Sequence, residues 1–239
     1  MNMPYRGETE AKKVTRAFVW WQHRRFLKRS FLRTPHVFLA SRIAGDIDTL
    51  HDLKVPKGSI WAVERDPGQY RVLLGQRLKS RVFPQNVETV MERYASTDKI
   101  RSVYLDYCGN LIGMAKTTKR VISQLSEGSV VSITLFLGRE LKLKEDRETA
   151  LLRQVREATK HRVTLLQSIR YRSTDDKLGS MMCTWTFAIG GHPSRSKMRF
   201  DLTQELPSTE VDAATMWKQA KDLAAKRSRA AVKANITRQ

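Results

Sequence analysis

The stretch that decides the fold is residues 129–137, Ser-Val-Val-Ser-Ile-Thr-Leu-Phe-Leu. It is almost continuously apolar or β-branched, which is typical of a strand buried on both faces of a parallel sheet. Shorter apolar runs precede it, at 36–40, 59–63 and 100–105, and a short extended piece at 81–84 lies between the last two as the third predicted strand. Segments with helical spacing separate these runs, so strand and helix alternate. This alternation predicts a doubly wound α/β fold from His36 to about Gly191.

Two further strands follow close together, at 163–172 and 181–189. The residues between them, 173–179, are polar and end in glycine, which indicates a hairpin and therefore an antiparallel pair. We expect a mostly parallel sheet that ends in an antiparallel hairpin, which is an uncommon ending.

Composition excludes several classes of protein. The chain has 239 residues, of which 41% are hydrophobic, so it can bury a substantial core. It contains no apolar run of the roughly 18 residues that a membrane helix needs. Its two cysteines and five scattered histidines show no disulfide framework and no metal-ligand spacing. We expect a soluble cytoplasmic protein without a secretory signal or a metal site, and the sequence leaves its oligomeric state open.

The charge predicts an anionic partner. The formal net charge is +20, from 44 basic and 24 acidic residues. Residues 1–34 hold nine of the basic and two of the acidic residues, and residues 216–239 hold seven and one. Such a field attracts nucleic acid through counterion release, although it also serves solubility alone. The residues that we expect to contact nucleic acid are Arg24, Arg25, Lys28, Arg29, Lys226, Arg227 and Arg229.

Aromatic residues interleave with the cations in the N-terminal segment, and two interpretations of this pattern remain open. Phe18, Trp21 or Phe26 docks onto the core, or aromatic and arginine planes stack on exposed bases. The predicted organisation has three parts: a basic aromatic N-terminal arm at 1–35, an α/β domain at 36–195, and a linker with a basic C-terminal helix at 196–239.

Acidic or polar residues follow several of the predicted strands. Glu64-Arg65-Asp66 follows the second strand, Gln85-Asn86 the third, and Asp106-Tyr107-Cys108-Gly109 the fourth. Ala44-Gly45-Asp46 lies in the first strand-to-helix loop. In open α/β sheets, ligands bind beyond the carboxyl ends of the strands. These segments are therefore the candidate binding loops.

This order of elements, with these strand ends, resembles the class I S-adenosylmethionine-dependent methyltransferases, whose Rossmann-like sheet ends in an antiparallel strand. The resemblance covers about residues 36–191. Only Gly45 stands where that family has a glycine-rich loop, so the chain looks like a divergent member.

The resemblance implies S-adenosylmethionine as the cofactor. Glu64 would accept hydrogen bonds from the ribose hydroxyls, with Asp66 as the alternative, and Asn86 or its neighbour Gln85 would meet the adenine amine. The implied cofactor-binding residues are Ala40, Ser41, Ala44, Gly45, Asp46, Glu64, Asn86 and Asp106.

The segment after the fourth strand would face the substrate. Asp106 would orient a substrate amine or act as a base, and Tyr107 would stack on a flipped base. We interpret Cys108 and Cys183 as packing residues rather than nucleophiles.

Three functions follow, in order of preference. The first is an S-adenosylmethionine-dependent methyltransferase that acts on nucleic acid. The second is a catalytically inactive methyltransferase-like module for nucleic-acid binding or assembly, which the reduced glycine loop favours. The third is methylation of a protein or small molecule, which the fold allows and the charge disfavours.

Overall fold

The computed structural model describes residues 9–40, 44–75, 80–107, 109–138, 145–173, 180–190 and 198–202. The α-helices within these ranges are α1 (Glu10–Leu27), α2 (Gly45–Asp52), α3 (Pro67–Gly75), α4 (Val87–Tyr94), α5 (Leu111–Ser123) and α6 (Arg147–Glu157). The strands are β1 (His36–Leu39), β2 (Ile60–Val63), β3 (Arg81–Phe83), β4 (Ser102–Asp106), β5 (Ser129–Phe136), β6 (Val163–Arg172), β7 (Met181–Ile189) and β8 (Met198–Asp201). Short 3-10 helices at Lys28–Leu32 and Lys57–Ser59 lead into β1 and β2.

The strands of the described ranges form one sheet in the order β3-β2-β1-β4-β5-β7-β6-β8. Strands β1 to β5 are parallel to one another, and β7 runs antiparallel between β5 and β6. This arrangement confirms the predicted α/β fold and its final hairpin. β8 adds to the outer edge of β6 in a parallel direction, and it lies in the segment that was predicted to be a linker.

Helices cover both faces of the sheet. On one face, α4, α5 and α6 pack against inward side chains such as Val131, Ile133 and Leu135 of β5. On the other face, α1, α2 and α3 pack against side chains that include Phe38 and Tyr104. Successive strand residues point to opposite faces, so the continuous apolar run in β5 supplies both cores at once.

The N-terminal helix packs into the core of the sheet. Thr9 caps α1 by accepting a hydrogen bond from the Lys12 amide, 3.1 Å away. Trp20 is completely buried and meets Phe38 edge-on, and Phe18 stacks on Phe200 with 4.8 Å between ring centroids. For α1, the structure therefore shows the core-packing interpretation. The three-part division of the chain stays a prediction, because residues from 203 onward lie outside the described ranges.

A buried polar chain ties α1 to the sheet. Nδ1 of His23 lies 2.8 Å from Oγ of Ser102, and its Nε2 lies 2.8 Å from Oγ of Ser132. Ser102 also lies 2.8 Å from Nδ1 of His36, whose Nε2 lies 2.7 Å from the Phe31 carbonyl oxygen. All four polar side chains are completely buried, so every hydrogen bond in the chain replaces one with water.

The proton positions in this chain follow from one fixed acceptor. The Phe31 carbonyl only accepts, so His36 carries its proton on Nε2 and its Nδ1 accepts from the Ser102 hydroxyl. The Ser102 oxygen then accepts from Nδ1–H of His23, and Nε2 of His23 accepts from Ser132. Both imidazoles are neutral in this arrangement. Burial lowers the pKa of His36 to about 4, against an opposing effect of the Phe31 hydrogen bond. Burial, and then the charge of His36, lowers the pKa of His23 well below its usual value.

One of the two cysteines, Cys183, lies in the described ranges. Cys183 is buried in β7, and burial raises the pKa of its thiol to about 12, in keeping with a packing role. Cys108 lies outside the described residues. None of the helices in the described ranges combines the length and the apolar composition needed to cross a membrane.

The histidine chain makes stability depend on pH. Below about pH 6.5, His23 and His36 bind protons in the unfolded protein but stay neutral in the folded protein, because burial lowers their pKa values. The free energy of unfolding therefore falls as the pH falls. With a folded pKa of about 4, His36 alone should remove about 2 kcal/mol between pH 7 and pH 5. Urea unfolding at the two pH values measures this loss.

The matched control is His161→Gln, because His161 is a half-buried histidine that takes no part in the hydrogen-bonded chain of His23 and His36. This variant should lose as much stability on acidification as the original protein does. Equal free energies of unfolding at pH 7 and pH 5 in the original protein would contradict the assigned neutral chain.

Candidate active site

The candidate site lies at the carboxyl edge of the sheet, where β1, β2 and β4 end side by side. The Ala40 amide donates to the Val63 carbonyl at 3.0 Å, and the Glu64 amide donates to the Phe83 carbonyl at 3.0 Å. Strand order reverses between β1 and β4, since β2 and β3 lie on one side and β5 on the other. Such a reversal opens a crevice beyond the strand ends.

Glu64 leaves β2 half-buried, next to this crevice. Its Oε1 accepts from the Asp66 amide at 2.8 Å, and its other carboxylate oxygen has no hydrogen-bond partner in the described ranges. Asp66 has a different task, because its Oδ1 accepts from the Gln69 amide at 2.7 Å near the start of α3. The geometry thus separates the two acids that the sequence left as alternatives: Asp66 caps a helix and Glu64 keeps an acceptor available.

Asp46 is tied to α1 rather than open to the crevice. It is buried, its Oδ2 lies 3.0 Å from Nε of Arg16, and its Oδ1 accepts from the Trp20 indole N–H at 2.7 Å. Burial raises the pKa of Asp46, against the opposing charge of Arg16. Both carboxylate oxygens are therefore engaged inside the protein, and the predicted cofactor contact of Asp46 stays a prediction.

The loop around Asp46 is compact. Ala44 is buried and has a left-handed backbone with φ of 54°, and Gly45 is the first residue of α2. Ala40 is half-buried just past β1, and Ser41 lies outside the described residues. The structure therefore brings Ala40, Ala44 and Gly45 to the carboxyl edge without an acidic side chain free beside them in the described part of this loop.

Asp106 and Tyr107 point to opposite faces of the sheet, since they are successive residues at a strand end. Oδ2 of Asp106 pairs with Nζ of Lys12 on α1 at 3.0 Å. Tyr107 lies in the core on the α5 side, where its hydroxyl accepts from Thr118 at 3.4 Å. Burial raises the pKa of Tyr107 well above its usual value. Stacking of Tyr107 on a flipped base is therefore not supported, because the ring is covered by protein.

A layer of buried hydroxyl groups underlies Asp106. The Tyr104 hydroxyl lies 3.2 Å from Oγ1 of Thr134, which lies 2.6 Å from Oγ1 of Thr184. Burial and the nearby charge of Asp106 raise the pKa of Tyr104 and of the neighbouring Tyr171, so both phenols stay neutral. Buried, uncharged hydroxyl groups therefore lie beneath the Asp106 carboxylate, which is paired with Lys12.

The two acids meet cations that lie one turn apart on α1. Lys12 and Arg16 have i,i+4 spacing, which places them on the same face of the helix. Lys12 pairs with Asp106 and Arg16 pairs with Asp46, so α1 bridges two neighbouring strand-end loops. Sequence reasoning missed this bridge because it counted both residues only toward the charge of an arm. Their i,i+4 spacing was the available signal.

The two residues predicted at the third strand end, Gln85 and Asn86, have different surroundings. Asn86 is exposed at the N-cap of α4, and its side chain makes no capping hydrogen bond. Its neighbour Gln85 has a side-chain oxygen, Oε1, that is buried and has no partner among the described residues. An unpartnered buried acceptor is costly, so Gln85 is the better candidate for a ligand amine.

The predicted nucleic-acid contacts of α1 lie far from this site. Arg24, Arg25, Lys28 and Arg29 are exposed at the end of α1, near the amino ends of the strands. Arg25 also lies over the Trp21 ring, 5.4 Å from its centroid. Lys226, Arg227 and Arg229 lie outside the described residues. Among the described residues, no group of three or more acidic, histidine or cysteine side chains is placed to hold a metal ion.

No protein family profile matches the chain, and no curated protein matches it. Solved structures do. A class I S-adenosylmethionine-dependent methyltransferase from Listeria monocytogenes, itself described as putative, matches with a TM-score of 0.54, 10% identity, and coverage of 90% of this chain and 72% of that one. The chain has the class I methyltransferase fold.

Two further structures support the same fold. NSun6 from Pyrococcus horikoshii matches with a TM-score of 0.53 and 11% identity, over 80% of this chain and 57% of that one. The M protein of the type I restriction enzyme EcoKI matches with a TM-score of 0.52 and 15% identity, over 87% of this chain and 50% of that one. At such identities the matches show a shared class I fold, and they carry no site residue over to this chain.

The Arg16–Asp46 pair gives a test of the bridge between α1 and the site. Asp46→Asn leaves the Arg16 guanidinium buried beside an uncharged amide, and such a loss costs about 3–5 kcal/mol. Arg16→Met should cost less, because Asp46 can neutralise itself by binding a proton whereas arginine stays charged. Urea unfolding of both variants at pH 7 gives the comparison.

The control is Asp48→Asn, which removes an exposed carboxylate from the same helix. It should change the free energy of unfolding by less than about 0.5 kcal/mol. If Asp46→Asn proved as harmless as Asp48→Asn, the buried pair would not hold α1 in place.

Proposed function

We propose that the chain is an S-adenosylmethionine-dependent methyltransferase that acts on nucleic acid. The observation that carries the proposal is Glu64, a half-buried carboxylate with one oxygen available, at the end of β2 beside the switch point of a class I sheet. This is the position at which the family that the chain resembles holds the ribose of its cofactor.

The residues present fit an adenosine group. Such a group offers hydroxyl donors on its ribose and an amine donor on its base, and it needs acceptors for both. Glu64 has an available carboxylate oxygen, and Gln85 has the buried oxygen without a partner in the described ranges. Ala40, Ala44 and Gly45 have small side chains, which allow a ligand to approach the backbone of the first loop.

The cofactor, when bound, supplies an electrophilic methyl group on a sulfonium sulfur. The chain itself has to place an acceptor atom in line with that methyl group and to exclude water, and placement accounts for much of the rate of such a transfer. Asp106 is the residue that we assign to the acceptor. Its carboxylate lies at the end of β4, is held by Lys12, and can accept a hydrogen bond from an amino group.

The nucleic-acid substrate rests on charge. A net charge of +20 favours a polyanion through counterion release. A protein or small-molecule substrate would gain little from such a charge. Three residues at the end of α1, Arg24, Lys28 and Arg29, are exposed and make no salt bridge in the described part of the chain, so they are available to phosphates.

A second candidate is a class I module without catalysis that binds nucleic acid. Two observations favour it: both oxygens of Asp46 are engaged inside the protein, and Tyr107 is buried. The two candidates differ in whether S-adenosylmethionine binds. They do not differ in nucleic-acid binding.

Calorimetry with S-adenosylmethionine separates the two candidates. We expect binding in the micromolar range by the nucleic-acid-free protein. Glu64→Ala should weaken it at least tenfold, because two hydroxyl donors of the ligand lose a charged acceptor. Glu64→Gln should fall between the two, since an amide oxygen still accepts one hydrogen bond.

The matched control is Asp66→Asn, which changes the neighbouring carboxylate in the same loop but alters only the start of α3. It should bind S-adenosylmethionine within about threefold of the original protein. No binding by the original protein, with or without added nucleic acid, would favour the non-catalytic module. Equal losses in Asp66→Asn and Glu64→Ala would indicate that the loop, rather than Glu64, matters.

A further inference from the structure

Cations are concentrated in the segments that lead into the parallel strands, at the edge of the sheet opposite the candidate site. These segments, which we call the amino-edge surface, are residues 28–35, 53–59, 95–101, 124–128 and 158–162. Their nine basic residues are Lys28, Arg29, Arg33, Lys54, Lys57, Lys99, Arg101, Lys160 and Arg162, against the two acids Asp98 and Glu127.

The opposite edge has no such surplus. The described residues that follow the strands there are 40, 44, 64–66, 84–86, 106, 107, 109, 110, 137, 138, 145, 146, 173 and 180. They hold one basic residue, Arg65, and five acidic residues, Glu64, Asp66, Asp106, Glu145 and Asp146. In the described loop segments, the positive charge is therefore in excess at the amino edge of the sheet.

The cations of the amino-edge surface are not used by the fold. Of the nine, only Arg101 is half-buried, and the other eight are exposed. None of the nine forms a salt bridge with another residue of the described ranges. Exposed cations without protein partners keep their charge available to an external polyanion.

Hydrogen bonds and the pairing of the strands that follow hold several of these segments side by side along one edge of the sheet. The Arg101 amide donates to the Thr34 hydroxyl at 3.0 Å, and that hydroxyl lies 3.1 Å from the Lys99 carbonyl oxygen. Farther along, the Gly190 amide donates to the Arg162 carbonyl at 2.6 Å. Neighbouring strands lie about 4.8 Å apart, so the five steps from β2 to β6 span about 24 Å. That length matches about seven base pairs of a duplex.

We propose that the amino-edge surface is a docking site for the phosphate backbone of nucleic acid. It extends the contacts predicted on α1 to residues on other connections, of which Arg33, Lys57, Lys99 and Arg162 are the main ones. Binding through phosphate contacts needs neither a pocket nor groups that recognise bases, so exposed cations along one edge of the sheet are sufficient.

The docking site and the candidate active site lie at opposite ends of the strands. The eight residues of β5 place about 26 Å between the two edges. The next inference rests on the proposed methyltransferase function. If the protein methylates nucleic acid, one nucleic acid molecule can occupy both sites only when it reaches around the domain. The amino-edge surface therefore anchors the nucleic acid at a distance from the methylated position.

The test is a triple variant of the full chain, Lys57→Gln, Lys99→Gln and Arg162→Gln. Its affinity for a labelled 30-base-pair DNA duplex and for the RNA duplex of the same sequence is measured by fluorescence anisotropy at several KCl concentrations. For DNA, each lost phosphate contact lowers the slope of log affinity against log salt by about 0.9, so we expect a slope smaller by about 2 to 3. Affinity should fall at least about tenfold at 100 mM KCl.

The matched control removes the same charge elsewhere: Arg65→Gln, Arg71→Gln and Lys116→Gln, all of which are exposed and outside the amino-edge surface. It should keep the slope of the original protein. Equal loss of slope in both triple variants would overturn the proposal, because net charge would then explain the binding. An unchanged slope in the amino-edge variant would overturn it as well. A loss with RNA alone, or with DNA alone, would support the site and name the nucleic acid.

Calorimetry on the same variants keeps this proposal separate from the proposed function. The amino-edge variant should bind S-adenosylmethionine as the original protein does, because its substitutions lie at the other edge. Suppose that the original protein binds no S-adenosylmethionine, and that the amino-edge variant still lowers the slope of log affinity against log salt. The docking site would then be supported, and the methyltransferase function would be contradicted.

Discussion

The contact of α1 with the sheet is the constraint on which the rest of the structure depends. Its middle carries Trp20 and His23 into a completely buried layer, and its beginning carries Lys12 and Arg16 to the acids at the carboxyl edge. The neutral histidine chain is directional, so it tolerates only one arrangement of donors and acceptors. Because α1 contacts both the core and the strand-end loops, the geometry of the candidate site depends on the position of α1.

The electrostatics of the candidate site follow from this helix. Four acids, Asp46, Glu64, Asp66 and Asp106, lie at the carboxyl ends of β1, β2 and β4 or in the segments that follow them, and Asp66 caps α3. Asp46 and Asp106 are paired with cations of α1, so they enter the site as neutralised groups. Glu64 is held only by a backbone amide, which leaves it as the acid best able to bind a ligand. The division of roles arises because α1 reaches the loops at the centre of the sheet and not the loop after β2.

The chain therefore separates its charges along the strands. The carboxyl edge has the Glu64 carboxylate and the side-chain oxygen of Gln85, which has no partner among the described residues. These acceptors suit the hydrogen-bond donors of a small polar ligand. The other edge has exposed cations without salt bridges in the described ranges, which suit phosphates. Loop segments at both edges carry the chemistry, while the strands between them are almost entirely apolar or hydroxyl-bearing, as their burial requires.

Local pattern determined the α/β class, the parallel strands and the bounds of the hairpin, because continuous apolar runs and polar turns are readable from neighbouring residues alone. Local pattern gives little sign that α5 begins at Leu111, since Gly113 weakens helix propensity while Asn110 caps the helix by accepting from the Gly113 amide. It also identified the strand-end acids and the basic ends. Only tertiary structure decided that Asp46 and Asp106 pair with α1, that Tyr107 turns into the core, and that cations of distant segments come to the same edge of the sheet. Those outcomes depend on contacts between residues far apart in sequence, and no local pattern encodes which side chain will reach another.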